Sequence, residues 1–160
     1  MNLEMMDAPE VVTRDARMAL AVVGEGPFAE TAPGVWERLF ASVDLAAHTT
    51  DTTEFLGLSR VEDRVGKSPR NVYHAAFTVE EALEIPGCET VPVQGGHYLR
   101  WVLKGPHRNI WPAFHRVLRL ANESTHALRE APCLEIYLNN PAMTPEPELL
   151  TELLVPIQDA

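Results

Sequence analysis

The stretch Pro132-Cys133-Leu134-Glu135-Ile136-Tyr137-Leu138-Asn139-Asn140-Pro141 decides how this chain is read. Prolines close it at both ends. Between them, β-branched, aromatic and apolar side chains alternate around one acid, which is the pattern of a β-strand. Successive strand side chains point to opposite faces. Leu134, Ile136 and Leu138 therefore share one face, which reads as core, while Cys133, Glu135 and Tyr137 share the other. A carboxylate beside a phenol on an otherwise apolar strand poses the functional question: does Glu135 meet water or a pocket?

The flanks of this strand repeat elements found earlier in the chain. Before it, residues 98–103 read as a strand broken at Gly105-Pro106. Pro112 then opens a helix with the apolar stripe Trp111, Phe114, Val117, Leu118 and Ala121. After it come an acidic, proline-rich loop over 141–148 and a last strand over 150–157. In the first half, residues 11–23 read as a strand, broken at Gly24-Glu25-Gly26-Pro27. Pro33 fits the first turn of a helix whose stripe is Val35, Trp36, Leu39, Phe40 and Val43. Residues 49–53 read as a loop, 55–58 as a short strand, 60–70 as a charged turn and 71–79 as a longer strand.

One shift joins the halves. Gly26-Pro27 and Gly105-Pro106 stand 79 residues apart (105 − 26 = 79), as do Pro33 and Pro112, Val35 and Phe114, and Leu39 and Leu118. The same shift carries 72–79 onto 151–158, and Phe55-Leu56-Gly57-Leu58 onto Leu134-Glu135-Ile136-Tyr137. A fixed period of this kind marks an internal duplication. The expected fold is α+β, two β-α-β-β units with antiparallel strands. On this alignment Leu56 stands where Glu135 stands, and Leu58 where Tyr137 stands. The acid thus occupies a place whose counterpart is apolar. A bare buried carboxylate costs on the order of several kcal/mol unless it gains partners or a proton, so such a residue points to a site rather than to stability.

Composition narrows the function classes. The chain has 160 residues, enough for one domain or two small copies of one motif sharing a core. With 46% hydrophobic and 22% charged residues it reads as globular, not disordered. The net charge of −10 leaves no basic face for phosphates, which argues against direct nucleic-acid binding. No apolar run reaches membrane-span length, and the N-terminus lacks a signal pattern. Cys88 and Cys133 form no metal or redox spacing, so a reduced, cytoplasmic protein is expected. His74, His97, His107 and His115 make no metal spacing with acids on one element. No phosphate loop, nucleophile elbow or zinc motif is present, so no metal or cofactor is expected.

Gly95-Gly96-His97-Tyr98 leading to Lys104-Gly105-Pro106, the helix start at 111–114, the strand at 132–141 and the closing Thr151-Glu152-Leu153-Leu154-Val155-Pro156-Ile157 together resemble the GyrI-like small-molecule-binding family, also called the AraC-type effector-binding domain. Val23-Gly24-Glu25-Gly26-Pro27-Phe28 is the weaker counterpart in the first half. The resemblance implies two β-α-β-β modules related by a pseudo-two-fold, with a joined antiparallel sheet and two main helices. It implies a single domain over 1–160, with module one at about 10–80 and module two at about 89–158. It also implies a cleft between the modules that takes up hydrophobic, often cationic, molecules, with Glu135 as counter-charge inside an aromatic cage. Members of the family serve as the sensing half of transcription activators, as a free-standing gyrase inhibitor and as hydrolases of cyclopropane-bearing toxins. This chain departs from the pattern at His107, where the family often has an aromatic. The two units use up the chain and leave no room for a preceding helix-turn-helix, so a direct DNA-binding regulator is not expected.

The ligand-binding residues expected on this basis are Glu135, Tyr137, Trp101, Tyr73 and Trp111. Tyr137 shares the face of Glu135 and can stack on a ligand or hydrogen-bond the carboxylate. Trp101 alternates with Leu99 and Leu103, as core or as cleft wall. Tyr73 shares its face with the small Ala75, and Trp111 lies beside a helix stripe. The expected partner is a hydrophobic or cationic small molecule, with no nucleic acid and no membrane, and with a protein partner or homodimer left open. Three other readings stay open. Glu135 can be a solvated strand residue. It can be the general base of a hydrolase, with Tyr137 or Tyr73 polarising the leaving group. The chain can also be a protein-interaction module that uses its acidic surface.

Overall fold

A computed structural model describes residues 3–158. The strand expected over 11–23 is two strands. β1 (Glu4–Met5) and β2 (Glu10–Arg14) end before Asp15-Ala16, and β3 (Arg17–Glu25) follows. Gly26 then takes φ +132° and turns the chain into α1 (Phe28–Ser42), where Glu30 and Thr31 donate their backbone N–H groups to the Pro27 carbonyl. The helix therefore starts five residues before Pro33, which lies inside it. An internal proline leaves the carbonyl four residues back without its partner. Here that carbonyl belongs to Ala29, and both residues are exposed to water. A short α2 (Leu45–His48) follows.

The segment expected as a charged turn, 60–70, is a hairpin instead. β4 (Phe55–Arg64) and β5 (Lys67–Val79) meet at Val65-Gly66, where Gly66 supplies φ +70°. Its charges lie on the strands. Arg70 bonds Glu62 and, at 2.8 Å, Glu25, while Arg60 reaches Glu62 at 2.5 Å. The Arg70 hydrogen bond, with Arg60 beside it, holds the Glu62 carboxyl below the usual carboxylate range.

After β6 (Glu89–Val93) come β7 (Gly96–Lys104) and, past Gly105 at φ +129°, a 3-10 turn (His107–Asn109) that leads into α3 (Ile110–Glu123). The two strand-to-helix turns thus use matching glycines, at positive φ values that other residues avoid. β8 (Cys133–Tyr137) and β9 (Leu150–Pro156) complete the elements. β8 is shorter than the strand expected over 132–141. The Asn139 side chain accepts from the Leu150 N–H at 3.0 Å and donates to the Glu148 carbonyl at 3.0 Å, which closes the connection early and leaves Leu138 exposed.

The chain forms two compact units. The contiguous unit is Ala16–Gln94, with the antiparallel ladder β6–β3–β5–β4. α1 covers it through Ala32, Val35 and Leu39. The helix approaches closely at Gly24, where an added Cβ would lie 2.5 Å from Val35 Cγ2. The composite unit joins Met1–Asp15 to Gly95–Ala160. Its β1 and β2 both pair with β7, then β9 and β8 follow, all antiparallel, under α3.

Each unit takes an edge strand from the other half of the sequence. β2 pairs with β7 (Glu10↔Arg100), and β6 pairs with β3 (Glu89↔Ala21), the same register 79 residues apart (89 − 10 = 79; 100 − 21 = 79). β2 (10–14) thus lies in the composite unit and β6 (89–93) in the contiguous one. Asp15-Ala16 lacks the Asn-Gly type of pair that a two-residue hairpin favours, so β2 runs on instead of folding back on β3.

Candidate functional site

Strand register in the composite unit lays two rows across the sheet, Glu135–Leu153–Trp101 and Tyr137–Thr151–Leu103. Both lie on the face that α3 covers, because Trp101, Leu103 and Leu153 pack in one core cluster with Ile110, Ala113, Phe114 and Val117 of the helix. Leu134 and Ile136 occupy the reverse face and are buried as well. The strand therefore has no wet side at its centre, and Glu135 is 1% exposed. Reading it as a solvated strand residue fails.

Glu135 is held by its strand neighbour. Tyr137, two residues on and so on the same face, donates its hydroxyl to Glu135 Oε2 at 2.5 Å. A hydrogen bond to a charged group contributes about 1.5–3 kcal/mol, which offsets part of the desolvation of a buried carboxylate. On the other side of Tyr137 lies His107, its ring centroid 4.9 Å from the phenol ring. Burial pushes the His107 pKa down, against a smaller upward pull from Glu146. The neutral imidazole is thereby favoured as a wall beside the acid. Cys133 shares the face too, and burial pushes its thiol up to about 12.

The other expected site residues are distributed as follows. Trp101 is fully buried in the cluster under α3, two strands from Glu135. Trp111, on α3, is partly buried at the rim of the same cluster and stacks on Phe114 with centroids 5.6 Å apart. Tyr73 belongs to the contiguous unit. There its hydroxyl accepts from Trp36 Nε1 at 2.8 Å, and the Phe28 ring meets its ring edge-on. The composite unit thus brings Glu135, Tyr137, Trp101 and Trp111 onto one sheet-and-helix layer, and Tyr73 holds the corresponding layer of the other unit.

The counterpart of Glu135 is not Leu56. In the contiguous unit the matching row is Gly57–Ala75–Val22. Trp101 and Val22 keep the 79-residue shift (101 − 22 = 79), but Leu153 and Ala75 differ by 78 (153 − 75 = 78), as do Glu135 and Gly57 (135 − 57 = 78). The second copy has one residue fewer between its first strand and the strand after the helix. Side chains alternate along a strand, so a one-residue slip moves each one to the opposite face. Glu135 therefore stands opposite a glycine, and Tyr137 opposite Ser59.

Two residues of this layer were not among the expected site residues. Thr151, fully buried, lies beside Tyr137 in register. It occupies the place of Tyr73 in the other copy, and ordinary strand alternation in β9 gives no hint of it. His107 carried a signal in its position directly after Gly105-Pro106. Among the described residues no group of three or more His, Cys, Asp or Glu is placed to hold a metal ion, and no helix is long and apolar enough to cross a membrane.

A buried carboxylate with a phenol donor, set among aromatic rings, is suited to hold an organic cation. Solved structures of similar fold at low sequence identity include the following three. SAV2435 bound to tetraphenylphosphonium matches with a TM-score of 0.72 at 16% identity, covering 94% of this chain and 93% of that one. The EcmrR C-terminal domain matches with 0.70 at 13%, covering 100% of both. An integron cassette protein from the mobile metagenome of Vibrio cholerae matches with 0.70 at 12%, covering 99% and 100%. A comparison with curated protein sequences gives no match. The family model described as the GyrI-like small molecule binding domain matches residues 7–158, and the chain belongs to that family.

Proposed function

We propose that this protein binds hydrophobic organic cations in its composite unit, with Glu135 as the counter-charge. One observation carries the reading: a carboxylate that is 1% exposed, held by the Tyr137 hydroxyl on the face that α3 covers. Such a group is costly to keep for stability alone. A ligand cation would neutralise it, and Tyr137 with the aromatic rings of the layer would contribute cation–π contacts of about 0.5–2 kcal/mol each. The family and the tetraphenylphosphonium bound to SAV2435 support the same reading.

The test is Glu135→Gln, which keeps shape and removes charge. Titration with tetraphenylphosphonium should show a loss of about 30-fold or more, the size expected when one member of a buried charge pair is removed. Neutral triphenylphosphine oxide should change by less than about threefold. Equal losses for the two would sink the reading. Turnover of an electrophilic cyclopropane by the native protein would instead give Glu135 the role of general base.

A further inference from the structure

Three polar atoms around the Glu135–Tyr137 pair are buried and have no hydrogen-bond partner among the described residues: Trp101 Nε1, Thr151 Oγ1 and His107 Nε2. Trp101 and Thr151 are each fully buried. Thr151 lies beside Tyr137 across β8 and β9, while Trp101 ends the row that starts at Glu135. The helix that closes this face meets it with Ile110, Ala113, Phe114 and Val117, which offer no side-chain acceptor. An indole N–H can only donate, and a hydroxyl can donate as well. Burying such donors unpaired is unfavourable. A core selected only for packing would have phenylalanine and valine at these places.

We infer that the ligand of this layer is an organic cation that also carries a hydrogen-bond acceptor, such as an ether or carbonyl oxygen, which Trp101 Nε1–H and the Thr151 hydroxyl receive while Glu135 meets the charge. Neighbouring strands are about 4.8 Å apart, so Trp101 and Glu135 are separated by about 10 Å. A molecule of three or four fused or linked rings spans that distance. The inference rests on the cation-binding reading and adds a second, uncharged recognition element to it. A purely hydrocarbon cation would then satisfy the carboxylate but leave both donors unmet.

The test uses two probes matched in size and charge, (2-methoxyethyl)triphenylphosphonium and butyltriphenylphosphonium, titrated against the full chain and against Trp101→Phe, Thr151→Val and Glu135→Gln. The native protein should prefer the ether by roughly threefold to tenfold, the effect of one neutral hydrogen bond. Trp101→Phe and Thr151→Val should each reduce that preference, read as the ratio of the two probes' affinities within the same variant. Ligand-free Thr151→Val should melt no lower than the native protein, because a methyl group replaces an unpaired buried hydroxyl. Glu135→Gln should weaken both probes alike. Glu135-dependent binding without an ether preference, or a preference that both variants retain, overturns this inference and leaves the cation reading standing. A clear drop in the melting temperature of Thr151→Val overturns it too, since the hydroxyl would then serve packing. Failure of both probes to bind in a Glu135-dependent way overturns both readings.

Discussion

The two copies of the β-α-β-β unit use the same ladder for opposite ends. In the composite unit the row under the helix is filled and polar at one end, with Glu135, Leu153 and Trp101. In the contiguous unit the same row is Gly57, Ala75 and Val22, almost without side chains. The next row reverses the sizes: Tyr73 stands between Ser59 and Gly24, whereas Thr151 stands between Tyr137 and Leu103. The phenols differ in role as well. Tyr73 accepts from a neutral indole, and Tyr137 donates to a carboxylate. One unit thus carries a charged pair, and the other a neutral pair and a close helix contact at Gly24.

The comparison breaks most visibly if one copy is given the other's residue. Gly24→Leu installs the residue found at Leu103, but its Cβ would lie 2.5 Å from Val35 Cγ2 and 2.9 Å from Thr31 Cγ2. Urea denaturation should show a loss of at least about 3 kcal/mol, the upper range for overpacking. A loss below about 1 kcal/mol would mean that α1 can retreat and that the two helix–sheet spacings are not fixed by this glycine. Removing each phenol oxygen makes a finer comparison. Tyr137→Phe deprives a buried carboxylate of a donor and should cost about 2 kcal/mol, whereas Tyr73→Phe should cost about 1 kcal/mol. Equal costs would place the Tyr137 bond with ordinary neutral ones. The smallest contrast is between the thiols. Thiolate is the reactive form. Burial pushes Cys133 up to about 12, while Cys88, also raised by burial, is partly offset by a hydrogen bond with Ser42. At pH 8, iodoacetamide followed by mass spectrometry should label Cys88 first, and Cys133 should gain reactivity only as the pH rises towards 12.

Much of this was legible in the sequence because it is local. The glycine-proline pairs, the helix stripes and the single acid in an alternating strand each declare themselves within a few residues, and Glu135 could be singled out on that basis. What failed to show were one-residue and long-range effects. The slip that replaces Leu56 by Gly57 as the counterpart of Glu135 arises between two strands where no residue marks it. β6, Glu89-Thr90-Val91-Pro92-Val93, contains a proline, which is tolerated at a sheet edge but weakens the strand signal. The exchange of β2 and β6 depends on partners far along the chain. Pro33 misplaced a helix start because proline favours first turns, and only exposure of the unpaired carbonyl made an interior position affordable.

The exchanged edge strands also set an order on synthesis. The contiguous unit is complete once residue 94 has emerged, with all of its ladder partners nearby. β2 is made early, yet its register partner for Arg14 is Gly96, so it leaves the ribosome as an unpaired strand and waits. Loops of this length close slowly, and waiting edges invite wrong pairings. Its composition blunts that risk, since Glu10 and Arg14 flank the strand with charge. The composite unit, and with it the layer around Glu135, can close only after the contiguous unit has emerged.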